Sequence, residues 1–221
     1  MIDWKELQSK LQEILLNGDK EQGVALARAT LLQGVTPVDF FEKCMAPTLA
    51  NIGKMFEILE IFLPELITSA EIVQKINEEV IDPSIKESGS SGLISSGKVL
   101  LATVKGDLHD IGKNMVALML RINGFEVVDL GINVGPMEIV SAAEKEKVDI
   151  IGMSSLLTTC LPYMKDVFDF LGEKGIRNKF GVIIGGAAPN AEFAKRVGAD
   201  AYGKSATEAV TICTQIIAKR K

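Results

Sequence analysis

From Asp82 to Gly97 the chain reads Asp-Pro-Ser-Ile-Lys-Glu-Ser-Gly-Ser-Ser-Gly-Leu-Ile-Ser-Ser-Gly, with no apolar period. A run so dense in Ser and Gly is uncommon inside a compact domain, because it buries little and costs much entropy to order. Two bodies joined by a linker at 82–97 are therefore expected, residues 1–81 on one side and 98–221 on the other. The two sides follow different periods, and this difference limits the fold more than any single residue does.

Over the first 81 residues, apolar side chains recur at helical spacing and breakers fall where helix ends belong. Gly18-Asp19 separates a segment Trp4 to Asn17 from a second, Lys20 to Gln33, with Asp19 placed as an N-cap. Gly34 closes the second segment and Thr36-Pro37 opens a third that runs to about Ile58; Phe62-Leu63-Pro64 starts a fourth that ends near Val80. Four helices without a strand candidate give a small bundle.

After the linker, short apolar runs alternate with amphipathic segments. Strands are expected at Lys98 to Val104, Phe125 to Leu130, Val148 to Met153, Phe180 to Ile184 and a short Ala201-Tyr202. Helices are expected near Lys113 to Ile122, Pro136 to Lys147, Leu161 to Glu173, Ala191 to Val197 and Ser205 to Lys219. Such alternation implies an α/β fold with a parallel sheet covered on both faces, most simply the flavodoxin-like, Rossmann-type order 2-1-3-4-5. In that order the first and third strands flank the switch point, where open α/β sheets bind ligands.

Composition narrows the function. A net charge of -5 supplies no basic field for a phosphate backbone, so nucleic acid is not expected as a partner. No apolar run approaches the roughly 18 to 20 residues that span a bilayer, and Met1-Ile2-Asp3-Trp4-Lys5-Glu6 is too polar for a signal peptide. A cytoplasmic protein with no membrane partner is expected. Cys44, Cys160 and Cys213 are far apart and odd in number, which suggests neither a disulfide framework nor a zinc site.

The loop at the first strand's end is Gly106-Asp107-Leu108-His109-Asp110-Ile111-Gly112, and His109 is the only histidine among 221 residues. Any imidazole chemistry must come from it. Asp107, two positions earlier, can reach one ring nitrogen while the other points outward, as in metal sites where a carboxylate orients a ligating histidine. Taken alone, Asp-X-His is more often a hydrogen-bonded turn than a metal site. After 41 intervening residues (113–153) comes Ser154-Ser155-Leu156, and after 28 more (157–184) comes Gly185-Gly186, which by itself reads as an ordinary strand-to-loop turn.

The series Asp-X-His-X-X-Gly, Ser-X-Leu and Gly-Gly at these intervals resembles the cobalamin-binding domain of methionine synthase and of methylotrophic corrinoid proteins. The resemblance implies that the cofactor's dimethylbenzimidazole tail leaves cobalt and that His109 replaces it as lower axial ligand, with Asp107 as its partner. Bound cobalamin would then be base-off and histidine-ligated, cycling between cob(I)alamin and methylcobalamin. Leu108, Asp110, Ile111 and Gly112 would lie beneath the corrin, with Gly106 in the same loop. Ser154, Leu156, Leu157 and Thr158 would line the corrin underside and the benzimidazole pocket, and Gly185, Gly186, Ala187, Tyr202 and Gly203 would make room for the tail. The family often completes an Asp-His-Ser relay with a hydroxyl six residues after the first serine of Ser-X-Leu; Cys160 stands there in this sequence, as a relay member or an inert core thiol.

The segment Asn51 to Leu66 is similar to the cap of these proteins, in which an aromatic residue and a leucine seven positions apart cover the upper corrin face; Phe56 and Leu63 match. By periodicity alone both are bundle core. The resemblance further implies a methyl carrier working with a substrate-specific methyltransferase, a second methyltransferase that passes the methyl group to tetrahydrofolate or a thiol, and a reductive activator of cobalt. Methanol, methylamines, betaine and aryl methyl ethers are donors that relatives serve. A cobalamin-dependent regulator, or the small subunit of an adenosylcobalamin mutase, are the rival expectations.

Overall fold

The structure is a computed structural model that describes residues 2–81, 83–84 and 96–220. The chain divides into two compact units, Met1–Ser95 and Ser96–Lys221. Most of the run 82–97 assigned to a linker lies outside the described residues; Pro83 and Ser84 sit in a helical turn, and Gly97 already opens the first strand.

In the first unit α1 (Trp4–Asn17) is capped by Asp3, whose carboxylate accepts from the N–H groups of Lys5 and Glu6, and it ends on Gly18 at φ +79°. Asp19 caps α2 (Lys20–Leu32) through the N–H of Gln22. Thr36 caps α3 (Pro37–Phe40), and the helix continues through a π turn, Phe41–Met45, into α4 (Ala46–Glu57). The π turn has a local cause. Pro47 has no N–H to give the carbonyl of Lys43, and the Gln8 side-chain amide donates to that carbonyl instead, at 2.6 Å.

At the head of α5 (Leu63–Ile76) the Glu65 carboxylate accepts from the N–H of Phe62 at 3.1 Å; a second π turn, Asn77–Ile81, follows the helix. Leu11, Leu15, Phe40, Met45, Leu49, Ile52, Leu66 and Ile72 are fully buried between these helices. This is the expected bundle, its third helix interrupted by the π turn.

The second unit is a five-stranded parallel sheet, β1 (Gly97–Thr103), β2 (Phe125–Asp129), β3 (Ile150–Ser154), β4 (Gly181–Gly185) and β5 (Ala201–Gly203), in the order β2-β1-β3-β4-β5. Between strands run α6 (Ile111–Ile122), α7 (Pro136–Glu146), α8 (Leu161–Glu173) and α9 (Ala191–Val197), and α10 (Ala206–Arg220) follows β5. Helices α6 and α10 pack together, as do α7 and α8. The central strands read as nearly continuous apolar runs, and all but the last residue of β3 and β4 are buried, as in a parallel sheet covered on both faces. No helix of the described residues is long and apolar enough to cross a membrane.

Candidate functional site

Past Thr103 the chain makes one further parallel bridge, Val104 to Val134, and turns at Gly106 with φ +83°. Asn133, in the loop after β2, fixes that turn from both sides. Its side-chain oxygen accepts from the N–H of Gly106 at 2.8 Å, and its own N–H donates to the carbonyl of Asp107 at 3.0 Å. Asn133 itself sits at φ +56°, a conformation that asparagine tolerates better than most side chains.

This geometry drives the Asp107 carboxylate into the interior, where it is 0 % exposed. One oxygen accepts from the backbone N–H of His109 at 3.0 Å and pairs with the ring Nδ1 at 2.7 Å. The other accepts from the Leu156 N–H at 2.6 Å, the Ser155 hydroxyl at 3.0 Å and the Leu157 N–H at 3.3 Å. Burial alone would push this carboxyl upward, and it is the largest single influence. The donors from His109, Leu156 and Ser155 together outweigh it and hold Asp107 well below the usual carboxylate range.

Since an ionised carboxylate only accepts, the proton of this pair lies on Nδ1, and a neutral ring presents the lone pair of Nε2 outward. The His109 side chain is 55 % exposed although its partner is buried. The hydroxyl of Thr103 ties the same loop at the His109 carbonyl, at 3.1 Å. Leu108, Ile111, Leu156 and Leu157, on the loops that carry His109 and close over Asp107, are exposed apolar side chains. Among the described residues no three His, Cys, Asp or Glu side chains are grouped to hold a metal ion. His109 can therefore offer one ligand to a metal whose remaining ligands come with it.

Beside the loop lies a slot. Thr103, Ser154, Gly185 and Gly203 stand in register across β1, β3, β4 and β5, so one row of the sheet face is nearly bare of side chains at its upper edge. Two residues lower on the same face the row is Leu101, Gly152, Ile183 and Ala201. Between this face and helices α6 and α10 is a cavity of about 220 Å³, bounded by Gly112, Met115 and Val116 on one side and Ala206 and Ala209 on the other. Gly152 makes room for a neighbour on the floor: a β-carbon there would come within 2.5 Å of Leu101 Cδ2, which covers it. Gly186 is fixed for a different reason, since at φ +99° a β-carbon would lie 2.2 Å from the Ser155 carbonyl oxygen.

The remaining sequence candidates fall as follows. Ala187 is exposed in the loop after β4, and Tyr202 donates its hydroxyl to the Gly186 carbonyl at 3.3 Å. Thr158 is exposed in a 3-10 turn. Asp110 precedes α6 and accepts from the Asn114 side chain at 3.0 Å. Gly112 has open space where a β-carbon would stand. Phe56, half-buried on α4, and Leu63, exposed at the start of α5, belong to the helical unit.

Cys160 is buried beneath the site loop, its Sγ 3.2 Å from where a β-carbon on Gly106 would lie, with the Thr159 hydroxyl 3.9 Å away. The hydroxyl on Asp107 comes from Ser155, not from the position of Cys160. Sequence reasoning passed over Ser155, Gly152 and Asn133. Two signals were present: strand alternation sends Ser155 to the side opposite Ser154, and a glycine inside the run Ile150-Ile151-Gly152-Met153 marks a close approach or a gap. Lys113, also unremarked, is buried with its ammonium on both Asp129 oxygens, at 2.7 and 2.6 Å, and on Asn114 at 2.8 Å, which ties the first turn of α6 to the end of β2.

Residues 97–211 match a family model described as a B12 binding domain, and residues 7–79 match a second model of the same description. Trimethylamine corrinoid protein 1 of Methanosarcina acetivorans is 36 % identical over 211 residues, covering 96 % of this chain and 97 % of its own. A corrinoid protein of Desulfitobacterium hafniense is 32 % identical over 213 residues, covering 96 % and 98 %. Among solved structures, a cobalamin-binding protein from Desulfitobacterium hafniense superposes with a TM-score of 0.77 at 31 % identity, covering 98 % of this chain and 99 % of that one. A chain of the methanol:cobalamin methyltransferase complex of Methanosarcina barkeri gives 0.75 at 31 % identity, covering 96 % and 80 %.

Proposed function

This chain belongs to the B12-binding family of corrinoid proteins, and from that premise we propose that it carries a methyl group on the cobalt of cobalamin, with the imidazole of His109 as lower axial ligand. The reading rests on one observation: a half-exposed imidazole whose Nδ1 is held at 2.7 Å by a fully buried carboxylate, at the sheet edge beside the slot. Neutral imidazole suits a first-row transition metal, and a carboxylate on the far nitrogen fixes the tautomer and raises ligand basicity. Cobalamin, when bound, supplies a metal centre that accepts and donates a methyl group; the chain supplies position and ligation.

The residues present fit that cofactor. Leu108, Ile111, Leu156 and Leu157 would offer apolar surface to the corrin underside, and Ser154, Gly185, Gly186 and Gly203 would hold the displaced nucleotide tail. Asp107 would keep His109 oriented and take part in the proton balance of the ring, with Ser155 fixing the carboxylate. A methyltransferase specific for a small N-methyl or O-methyl donor would load the carrier. The names of the relatives, trimethylamine in one and methanol in another, support that donor class. A second methyltransferase to tetrahydrofolate or a thiol would unload it, and a reductive activator would restore cobalt after oxidation.

The test is reconstitution with hydroxocobalamin followed by gel filtration. Wild type is expected to retain corrinoid with an absorbance spectrum that His109→Ala changes at the same pH. Retention by neither protein would overturn the reading, and identical spectra from the two would remove histidine ligation from it.

A further inference from the structure

We infer that Lys113, Asp129 and Asn133 are positioning residues for the axial imidazole: the segment after β2 grips the His109 loop at both of its ends, and so decides how much of the bound cobalt that ring ligates. The inference rests on the reading above, since it takes His109 as the ligand, and adds to it the residues that aim the ligand without touching the ring.

A bond from imidazole to a metal is directional, so the ring must be held in one orientation and not merely be present. Its described partner is Asp107, which the same loop carries two residues away, and that carboxylate is anchored on the loop after β3. Thr103 adds one tie, at the His109 carbonyl. The two ends of the loop are held by the segment after β2. At the near end, Asn133 Oδ1 accepts from the N–H of Gly106 at 2.8 Å, and the Asn133 N–H donates to the Asp107 carbonyl at 3.0 Å. At the far end, the ammonium of Lys113, in the first turn of α6, donates to both oxygens of Asp129 at 2.7 and 2.6 Å. It also donates to Asn114 Oδ1 at 2.8 Å, and the Asn114 amide donates in turn to the carboxylate of Asp110, the residue after His109, at 3.0 Å.

The bracket is stiff. Leu130, Gly131 and Val134 are bonded to the main chain of β1, and the Asp129 carboxylate accepts from the N–H of Gly131 at 2.8 Å. Two of its residues run against local preference. A lysine in a first helical turn faces the positive end of the helix dipole, and Lys113 is 4 % exposed, so its charge is tolerable there only with Asp129 against it. Asn133 sits at φ +56°. Such departures concentrate at functional sites, and both of these end on the loop that carries the imidazole. A loop held at both ends is ordered before the cofactor arrives, so the bond to cobalt does not have to supply that ordering. Release of either end leaves Asp107 among its donors but frees the ring to sample orientations that do not meet the metal.

Because His109 is the single histidine, histidine enriched in the heavy nitrogen isotope labels one site. The full-length protein so labelled is reconstituted with hydroxocobalamin, reduced to the cob(II)alamin state and read by electron paramagnetic resonance. There an axial heavy nitrogen splits each cobalt line into a doublet, whereas the ordinary nitrogen of the benzimidazole gives a triplet. The urea midpoint of each apoprotein is measured beside it.

Wild type is expected to give the doublet. Lys113→Met and Asp129→Asn should each lower the ratio of doublet to remaining signal about ten-fold, the low end of what outer partners of a metal ligand contribute. Asn133→Gly keeps the positive φ and removes only an exposed acceptor, and should lower the ratio about three-fold; Asn133→Asp restores an acceptor and should return it to the wild-type value. Residues that only stabilise the fold would lower the urea midpoint and the amount of corrinoid retained, but leave unchanged the doublet share of what is retained; that result overturns the inference. If Lys113→Met and Asp129→Asn fail to fold, the Asn133 series decides in the same way. A wild-type protein that binds cobalamin without the doublet, or binds none, overturns the ligation reading itself and the inference with it, whatever the variants do.

Discussion

Asp107 collects donors that no other side chain could take in the same place. An amide at this position would set an N–H₂ group against backbone N–H groups on one side or the other, because both carboxylate oxygens accept from main-chain donors. Asp107→Asn is therefore expected to lower stability by about 3 kcal/mol, the scale of a charge-assisted hydrogen bond lost plus a donor left facing a donor, read as a shift in the urea midpoint. Ser155→Ala removes one donor of several and should cost about 1 kcal/mol in the same measurement. Cys160→Ser should keep its cobalamin through gel filtration, since Cys160 makes no hydrogen bond to Asp107; loss of the cofactor on that column would mean that the thiol acts in the site after all.

Glycine matters here through the elements it lets approach. At Gly186 the loop after β4 lies on the loop after β3, and any side chain meets the Ser155 carbonyl oxygen at 2.2 Å. Gly186→Ala should accordingly destabilise the α/β unit by about 2 kcal/mol or more, in chemical unfolding followed by circular dichroism. Gly112 presents the opposite case, since it lies in the first turn of α6 with empty space around it. Gly112→Ala is expected to leave the melting temperature equal or slightly higher, while its added methyl weakens hydroxocobalamin binding if the corrin lies close above that turn.

In the helical unit the π turn before α4 gives a third test. Gln8→Ala withdraws the donor that replaces the missing N–H of Pro47, and should cost no more than about 1 kcal/mol, because the bond is exposed and water can take the donor's place.

Across the whole chain the three cysteines are buried, Cys44 in the helical unit and Cys160 and Cys213 in the α/β unit. Burial pushes the thiols of Cys44 and Cys213 up to about 12. The folded-state value lies above the unfolded one, so this contribution to stability is whole below about pH 9 and is lost as pH rises toward 12. Each thiol should withdraw about 1 kcal/mol between pH 9 and 10, seen as a falling urea midpoint that Cys44→Ala and Cys213→Ala flatten in their respective units. Consistent with that, native protein at pH 8 should react slowly with a disulfide reagent, and fully only in denaturant.

The sequence by itself determined the elements, their order and the polar loop at the first strand's end, because these rest on local chemistry: apolar period, an N-cap at Asp19, a helix opening at Thr36-Pro37, and a polar loop where a buried strand runs into a helix. It also determined His109 as the single imidazole and Asp107 as its neighbour. Only the tertiary structure decided which hydroxyl meets that carboxylate, since Ser155 reaches Asp107 by strand register across β1 and β3, which no local signal encodes. The same holds for the slot: its floor exists because Leu101, Gly152 and Ile183 come level on three strands distant in sequence, and a gap between side chains belongs to their packing and not to any one of them.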